Sequence, residues 1–260
     1  MKPGNVSPET MKLDELVGYL DGYLGVDRTP DYPNAMNGLQ VEGAGEVTKV
    51  VTAVDATVAS ARKAVELGAG MLIVHHGIFW DGLRPITGRM RLRLEPLLAG
   101  GVSLYSAHLP LDAHPEVGNN AVLARLLGLD VAGRFGEFQD VVIGVYSDAE
   151  VALDDLSGRV AGALGAAPRV LGLGPSTTAR VGVVSGGGGS AIAQAAASGI
   201  DTVVTGEISH NNYFDAEEYG VNVICAGHYA TETVGVKALG ERLRDRFSLD
   251  CVFFDHPTGL

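Results

Sequence analysis

His228 and Glu232 stand four residues apart in the stretch Ala226-Gly227-His228-Tyr229-Ala230-Thr231-Glu232. An apolar run, Val221–Cys225, precedes them, and Thr233, Val236, Leu239, Leu243 and Phe247 follow at roughly helical spacing. The pair therefore shares one face of a helix that begins near His228, just past the end of a buried strand. An imidazole and a carboxylate in that place make half of a divalent-metal site. The other half is read at His75-His76 and at Asp112.

Neighbouring strand residues point to opposite faces, so His75 and His76 serve one site only where their strand has ended. The expected strand is Met71–Val74, and Gly77 supplies the freedom beyond it. One packed and one exposed histidine is the plainer alternative. Asp112 lies four residues past His108, and Pro110 between them argues for an extended turn rather than a helix. A carboxylate capping a turn near Pro115 is the alternative there. His75, His76, Asp112, His228 and Glu232 are too many donors for one tetrahedral zinc. They suit two ions of Fe, Mn, Zn or Co sharing a bridging carboxylate. Glu207 is a candidate general acid/base, a partner orienting a ligand imidazole, or a plain ion-pair member. His108 is a candidate proton carrier, an orienting partner or a weaker third ligand. His210 opens a helix, and His114 and His256 read as surface residues. The loop Ser185-Gly186-Gly187-Gly188-Gly189-Ser190 is a tight strand-to-helix connection or a phosphate cradle, with no lysine of the nucleotide-loop kind after it. Cys225 reads as a core thiol, and no pattern supports covalent catalysis.

These residues need strands to deliver them. Leu13, Leu16, Val17, Leu20, Tyr23 and Leu24 form a stripe on a first helix, with Thr10 as its expected N-cap and Gly25 as its stop. Strands are expected near 49–54, 71–74, 102–106, 140–146, 181–185, 201–205, 221–225 and 251–254. Helices are expected near 58–67, 90–99, 119–127, 153–164 and 190–197, with Gly118-Asn119-Asn120 capping the third. Val50–His76 lies over Val181–Glu207 at a constant offset of 131, and each copy continues to a second strand leading to a histidine, His108 or His228. Two structural repeats follow. Alternating strands and helices predict an α/β fold with mostly parallel sheets covered on both faces. Functional groups then collect beyond the carboxyl ends of the strands, where His75, His76, His108, Glu207 and His228 all fall. The expected division is a first α/β domain over 1–130, completed by a C-terminal strand in 248–260, and a second over 131–247.

At 260 residues and 46% apolar the chain can bury a substantial core, near the size at which one core becomes two. A net charge of −12 makes nucleic acid or an anionic membrane a poor general partner. Two cysteines, no secretory pattern and no run long enough to span a bilayer make the cytoplasm the expected compartment.

Taken together, Asn37-Gly38-Leu39-Gln40-Val41, His75-His76-Gly77, His108-Leu109-Pro110-Leu111-Asp112 with Gly118-Asn119-Asn120, Gly206-Glu207 and Gly227-His228-Tyr229-Ala230-Thr231-Glu232 resemble the NIF-three-like dinuclear-metal-centre family. Members often carry the name GTP cyclohydrolase I type 2 homologue. The resemblance spans nearly the whole chain and implies two related, intertwined α/β domains with the metal pair in the cleft between them. It implies a toroidal homohexamer, and ligands at His75, His76, Asp112, His228 and Glu232, with Glu232 bridging. The middle segment is too short for the extra domain that some relatives carry. After Gly206-Glu207 many relatives have two adjacent histidines, whereas here His210 is followed by Asn211. The expected activity is hydrolysis of a small, nucleotide-like substrate by two divalent ions per subunit, with Glu207 or His108 moving the proton. A metal-binding scaffold or regulatory protein without turnover is the alternative.

Overall fold

A computed structural model describes residues 9–260. The protein is a mixed α/β fold with two main mixed sheets and a two-stranded one. It forms two compact units. One takes in residues 9–110 together with Val236–His256, and the other takes in Leu111–Gly235 and Pro257–Leu260.

The first unit begins with β1 (Met11–Lys12) and α1 (Leu13–Leu24). Leu13, Leu16, Leu20 and Leu24 bury one face of α1, and Gly25, at φ 68°, ends it by returning its N–H to Asp21. Thr10 does not cap this helix. Lys12 occupies the N-cap position in extended conformation without a side-chain cap, and the first turn is supported by Asp14 and Glu15. After β2 (Gly38–Val41) and β3 (Glu46–Val47), the repeat unit starts with β4 (Lys49–Asp55), α2 (Val58–Glu66) and β5 (Met71–His76). Thr57 and Ser60 close a reciprocal capping box at the start of α2. A crossover containing α3 (Gly88–Gly100) leads to β6 (Ser103–Ser106). β4, β5 and β6 are parallel, while β2 adds to β6 antiparallel. Val51, Ala53, Leu72, Val74 and Leu104 from the strands pack with Ala61 and Ala64 of α2 and Leu97 of α3. Each such fully buried large side chain contributes about 1.5–3 kcal/mol.

The chain enters the second unit within one helical turn, α4 (Leu109–Asp112), and continues into α5 (Asn119–Leu126). Leu123, Ala124, Leu127 and Leu129 pack with Val145, Val181 and Val204, which is why residues 111–130 belong to the second unit rather than to the expected first domain. A hairpin of β7 (Gly133–Phe138) and β8 (Val141–Ala152) turns at Gln139 and Asp140, with φ 50° and 62°. β7 was not expected from the sequence, nor was β9 (Arg169–Leu171), which follows α6 (Leu153–Leu164). Then come β10 (Thr177–Val184), α7 (Ile192–Ala197), β11 (Thr202–Thr205), α8 (His210–Tyr219), β12 (Asn222–Cys225) and α9 (His228–Phe247). β10, β11 and β12 are parallel, and β7, β8 and β9 add antiparallel pairings, so this sheet is less parallel than expected. Burial alternates along the parallel strands. Val181, Val183, Val204 and Ile224 meet α5 and α6 residues, while Val184, Val203 and Val223 meet Ile192 and Ala195 of α7 and Ala216 of α8.

The chain returns to the first unit inside α9, at Val236. β13 (Asp250–Phe253) then pairs parallel with β4. The internal repeat is visible in register: Val50 pairs with Met71 in the first sheet, and Val181 pairs with Thr202 in the second, both shifted by the 131 residues read from the sequence. Among the described residues no helix is long and apolar enough to cross a membrane.

Candidate metal centre

In the first unit the site residues gather where β5 and β6 end. β5 runs through both His75 and His76, two residues further than expected. Their ring centroids still lie 4.6 Å apart, because at the last residues of a strand no further rung enforces the alternation of faces. His108, just past β6, brings its ring 5.0 Å from that of His75 and 5.6 Å from that of His76. Each of the three imidazoles offers a nitrogen within 4.8 Å of the others.

Every one of these rings is held at Nδ1. His75 Nδ1 lies 2.9 Å from the carbonyl of Ala107, and His76 Nδ1 lies 3.0 Å from Asp55 Oδ1. His108 Nδ1 sits 2.9 and 3.1 Å from the two oxygens of Asp31. Asp31 also accepts from Asn37 Nδ2 and from the Leu109 N–H, while Asn37 Oδ1 accepts the His108 N–H. Burial is the largest single influence on Asp31 and pushes its pKa up. The hydrogen bond and charge of His108, with Asn37 and Leu109, outweigh it and hold the carboxyl below its ordinary value. Gly77 has a steric reason: a Cβ there would meet the Gln40 amide at 2.3 Å. Gln40 uses that space to accept from the Ile78 N–H and to donate to the carbonyls of Ala35 and Met36, which pins the turn after β5. Trp80 sets its ring edge-on, 4.8 Å from His108 and 5.9 Å from His76.

In the second unit the site residues gather around the start of α9. His228 opens the helix, and its Nε2 lies 3.1 Å from Glu232 Oε1 one turn on. Glu207, just beyond β11, reaches His228 Nδ1 at 2.8 Å. The hydrogen bond to Glu232 is the largest of the causes that push the His228 pKa up to about 9. Burial opposes it, and Glu207 adds to it. Gly186, at φ 61°, brings the backbone so close that a Cβ would lie 2.3 Å from Glu232 Oε1. The glycine-rich loop is a connection: its Ser185, Gly186 and Gly188 N–H groups go to Asn120 Oδ1, Thr231 Oγ1 and Thr205 Oγ1.

Asp112 is 7% exposed, and its Oδ1 accepts from Asn119 Nδ2 at 2.8 Å and from Ser185 Oγ at 3.2 Å. Pro110 does not prevent a helix here, contrary to expectation. In a first turn the missing N–H removes no intrahelical bond. Gly118 stands at the N-cap of α5 as expected, but contrary to expectation Asn119 and Asn120 do not cap the helix with their side chains. Asn119 ties Asp112 to the Gly235 N–H, and Asn120 ties the Ser185 N–H to the Ile143 carbonyl.

His210 is exposed against the edge of Phe214, His114 accepts the N–H groups of Glu116 and Val117, and His256 is exposed against Phe254. Burial pushes both thiols up, Cys251 to about 11, and neither cysteine belongs to a donor cluster among the described residues. The residues missed from sequence are Asp31, Asp55 and Trp80, while Gly186 and the Asn119–Asn120 pair were read there only as loop and cap. Asp55 had a signal, since it ends the strand parallel to β5 at the rung of His76. Asp31 had none.

Imidazole and carboxylate donors with no thiolate fit Fe, Mn, Zn or Co. Nδ1 is engaged on all four histidines, the usual arrangement by which a second partner orients a ligating imidazole, and on His228 Nε2 faces Glu232.

Fold and donors together define a class: α/β proteins of two register-matched repeats with histidines and carboxylates at the carboxyl ends of parallel strands. The chain belongs to the Duf34/NIF3 (NGG1p interacting factor 3) family, whose profile matches residues 11–258. It is 46% identical over 260 residues to a Pyrococcus horikoshii protein named "GTP cyclohydrolase 1 type 2 homolog", covering 96% of this chain and 100% of that one. A Deinococcus radiodurans protein of the same name is 45% identical over 249 residues, 95% of this chain and 94% of that one. The crystal structure of TTHA1606 from Thermus thermophilus superposes with a TM-score of 0.86 at 46% identity, covering 96% of this chain and 100% of that one.

Proposed function

We propose that this protein is a divalent-metal-dependent hydrolase acting on a small, nucleotide-like substrate, with two ions held by His75, His76, Asp112, His228 and Glu232. The observation that carries the reading is the set of Nδ1 contacts that orient the rings of His75, His76 and His228, as ligating imidazoles are oriented by a second partner. The names of the relatives from Pyrococcus horikoshii and Deinococcus radiodurans support the nucleotide-ring form of the reaction.

Ions bound there would lower the pKa of water and polarise an electrophilic carbon or phosphorus. The chain supplies the rest. Asp31 fixes the His108 ring so that its Nε2 takes up or delivers a proton. Glu207 orients His228, and this contact favours a positioning role over direct proton transfer. Asp55 does the same for His76. Trp80 packs edge-on against His76 and His108. The subunits assemble as a homohexamer in this reading, which light scattering tests.

The engagement of Glu207 with His228 also favours a second reading, a metal-binding scaffold without turnover, because it removes one of the two candidate proton carriers. Purified protein is assayed for metal content and for metal-dependent turnover of GTP and a panel of phosphoesters, beside Glu232→Ala. Turnover that needs metal and disappears in the variant supports the hydrolase. Bound metal without turnover supports the scaffold, and protein that takes up neither Mn, Fe nor Zn sinks both.

A further inference from the structure

The crossover between β5 and β6 carries a charge pattern that the metal donors do not explain. Residues 84–93, Arg84-Pro85-Ile86-Thr87-Gly88-Arg89-Met90-Arg91-Leu92-Arg93, hold four arginines and no acid in a chain of net charge −12. Three of the four have partners close by. Arg84 Nε donates to the Asp81 carbonyl, Arg89 lies 3.9 Å from the Asp81 carboxylate, and Arg91 pairs with Glu95 at 3.1 Å. Arg93 differs: its Nε is buried and has no hydrogen-bond partner among the described residues.

Arg93 is one turn beyond Arg89 and so shares its flank of α3. Beside that flank Met90 and Leu94 pack against the core and fix the helix. Desolvation first and the like charge of Arg89 second hold the Arg93 pKa below its ordinary value, with Asp81 and Asp55 pulling the other way. Asp55 is also the carboxylate that holds His76.

The same crossover contains a second such donor. Trp80 Nε1 is buried without a hydrogen-bond partner among the described residues, while its ring rests against His76 and His108. A buried N–H left without an acceptor costs about 1–3 kcal/mol, and a guanidinium more. Two such donors on one crossover, one of them on the ring that rests against His76 and His108, are open to acceptors from a ligand or water.

We propose that this crossover is the substrate's anion-recognition element, in which Arg93 takes an oxyanion of a small phosphate ester and Trp80 Nε1 donates to a second acceptor on the same molecule. The inference rests on the hydrolase reading for the presence of a substrate, and it names that substrate's class. Guanidinium nitrogens match phosphate oxygens in a forked geometry that lysine does not reproduce.

Trp80 is the chain's one tryptophan, so its emission reports this place alone. Full-length protein stripped of metal by chelator is titrated with inorganic phosphate, GMP and guanosine. Phosphate and GMP are expected to give saturable changes in emission, with guanosine at least tenfold weaker than GMP. Arg93→Gln is expected to weaken phosphate and GMP about tenfold or more while leaving guanosine unchanged. Arg93→Lys should recover only part of that loss, and Arg91→Gln should match wild type. If Arg93→Gln does not fold, Arg93→Lys carries the comparison. Trp80→Phe, read by calorimetry, should weaken GMP several-fold. Absence of saturable phosphate or GMP binding, or affinity within threefold of wild type in the Arg93 variant, overturns the inference. A metal titration on the same samples separates the two ideas. Phosphate binding without any metal site removes only the hydrolase, and metal binding without phosphate removes only this inference.

Discussion

Glu207 Oε1 lies 2.8 Å from His228 Nδ1, on the opposite side of the ring from Glu232. One imidazole is therefore clasped by two carboxylates, an outer exposed one and an inner one that is 4% exposed. Removing the outer one tests its role as an orienting group. Glu207→Gln is expected to weaken Zn or Mn binding about 10–100-fold with little change in melting temperature. Calorimetric titration of the two proteins decides it, and equal affinities would show that the contact orients nothing.

The same clasp predicts a pH dependence. The His228 pKa is raised from 6.5 to about 9, the Glu232 hydrogen bond being the largest cause. A group whose folded pKa is raised stabilises the fold fully below its unfolded pKa and loses that contribution as pH rises through the folded value. Metal-free protein should therefore lose stability between pH 6.5 and about 9, and Glu232→Gln should flatten that part of the curve. Melting temperatures of both chelated proteins across this window provide the comparison. Parallel curves would rule the clasp out as the cause.

Gly186 is a backbone requirement at the site. With φ 61° and a would-be Cβ only 2.3 Å from Glu232 Oε1, Gly186→Ala faces both strain and collision. The expected loss is about 1–3 kcal/mol in denaturant unfolding, with metal affinity reduced because Glu232 must move. A variant as stable as wild type, and binding metal as well, would contradict the geometry.

Asp31 serves four donors at once: His108 Nδ1, Asn37 Nδ2 and the N–H groups of Leu109 and Tyr32. Its side chain is 5% exposed, so Asp31→Ala strands these groups away from water. A destabilisation of about 3 kcal/mol is expected. Asp31→Asn, which keeps an acceptor oxygen, should cost less. Urea unfolding measures both, and equal losses would mean that packing, rather than the acceptor, is what matters.

Trp80 offers a direct optical check on the histidine cluster. Its ring lies 5.9 Å from His76 and 4.8 Å from His108. Co(II) or Cu(II) bound by those imidazoles should quench its emission, and His76→Ala should weaken the quenching in proportion to lost binding. Saturable metal uptake with unchanged emission would place the ions elsewhere.

Much of the molecule is legible in the chain. Apolar runs bounded by glycines mark the parallel strands, and the offset of 131 between Val50 and Val181 survives as identical strand pairing. His228 and Glu232 meet because helical spacing puts them on one face. The hairpin over Gly133–Phe138 was missed because its strand is interrupted by Gly136 and charged residues, and only its pairing with Val141–Ala152 stabilises it. Pro110 misled because a proline's cost depends on its place within the turn, which spacing alone does not reveal.

Patterns that act over a few residues, such as periodicity and glycine stops, are written locally, so the sequence by itself determined the α/β class and the repeats. Which acceptor holds each donor was decided only by tertiary structure. Asp31 and His108 are 77 positions apart, and Asn119 and Gly235 are 116 apart. No periodicity relates such partners. They meet because the sheets and crossovers fold them together, and burial then makes each hydrogen bond costly to leave unmade.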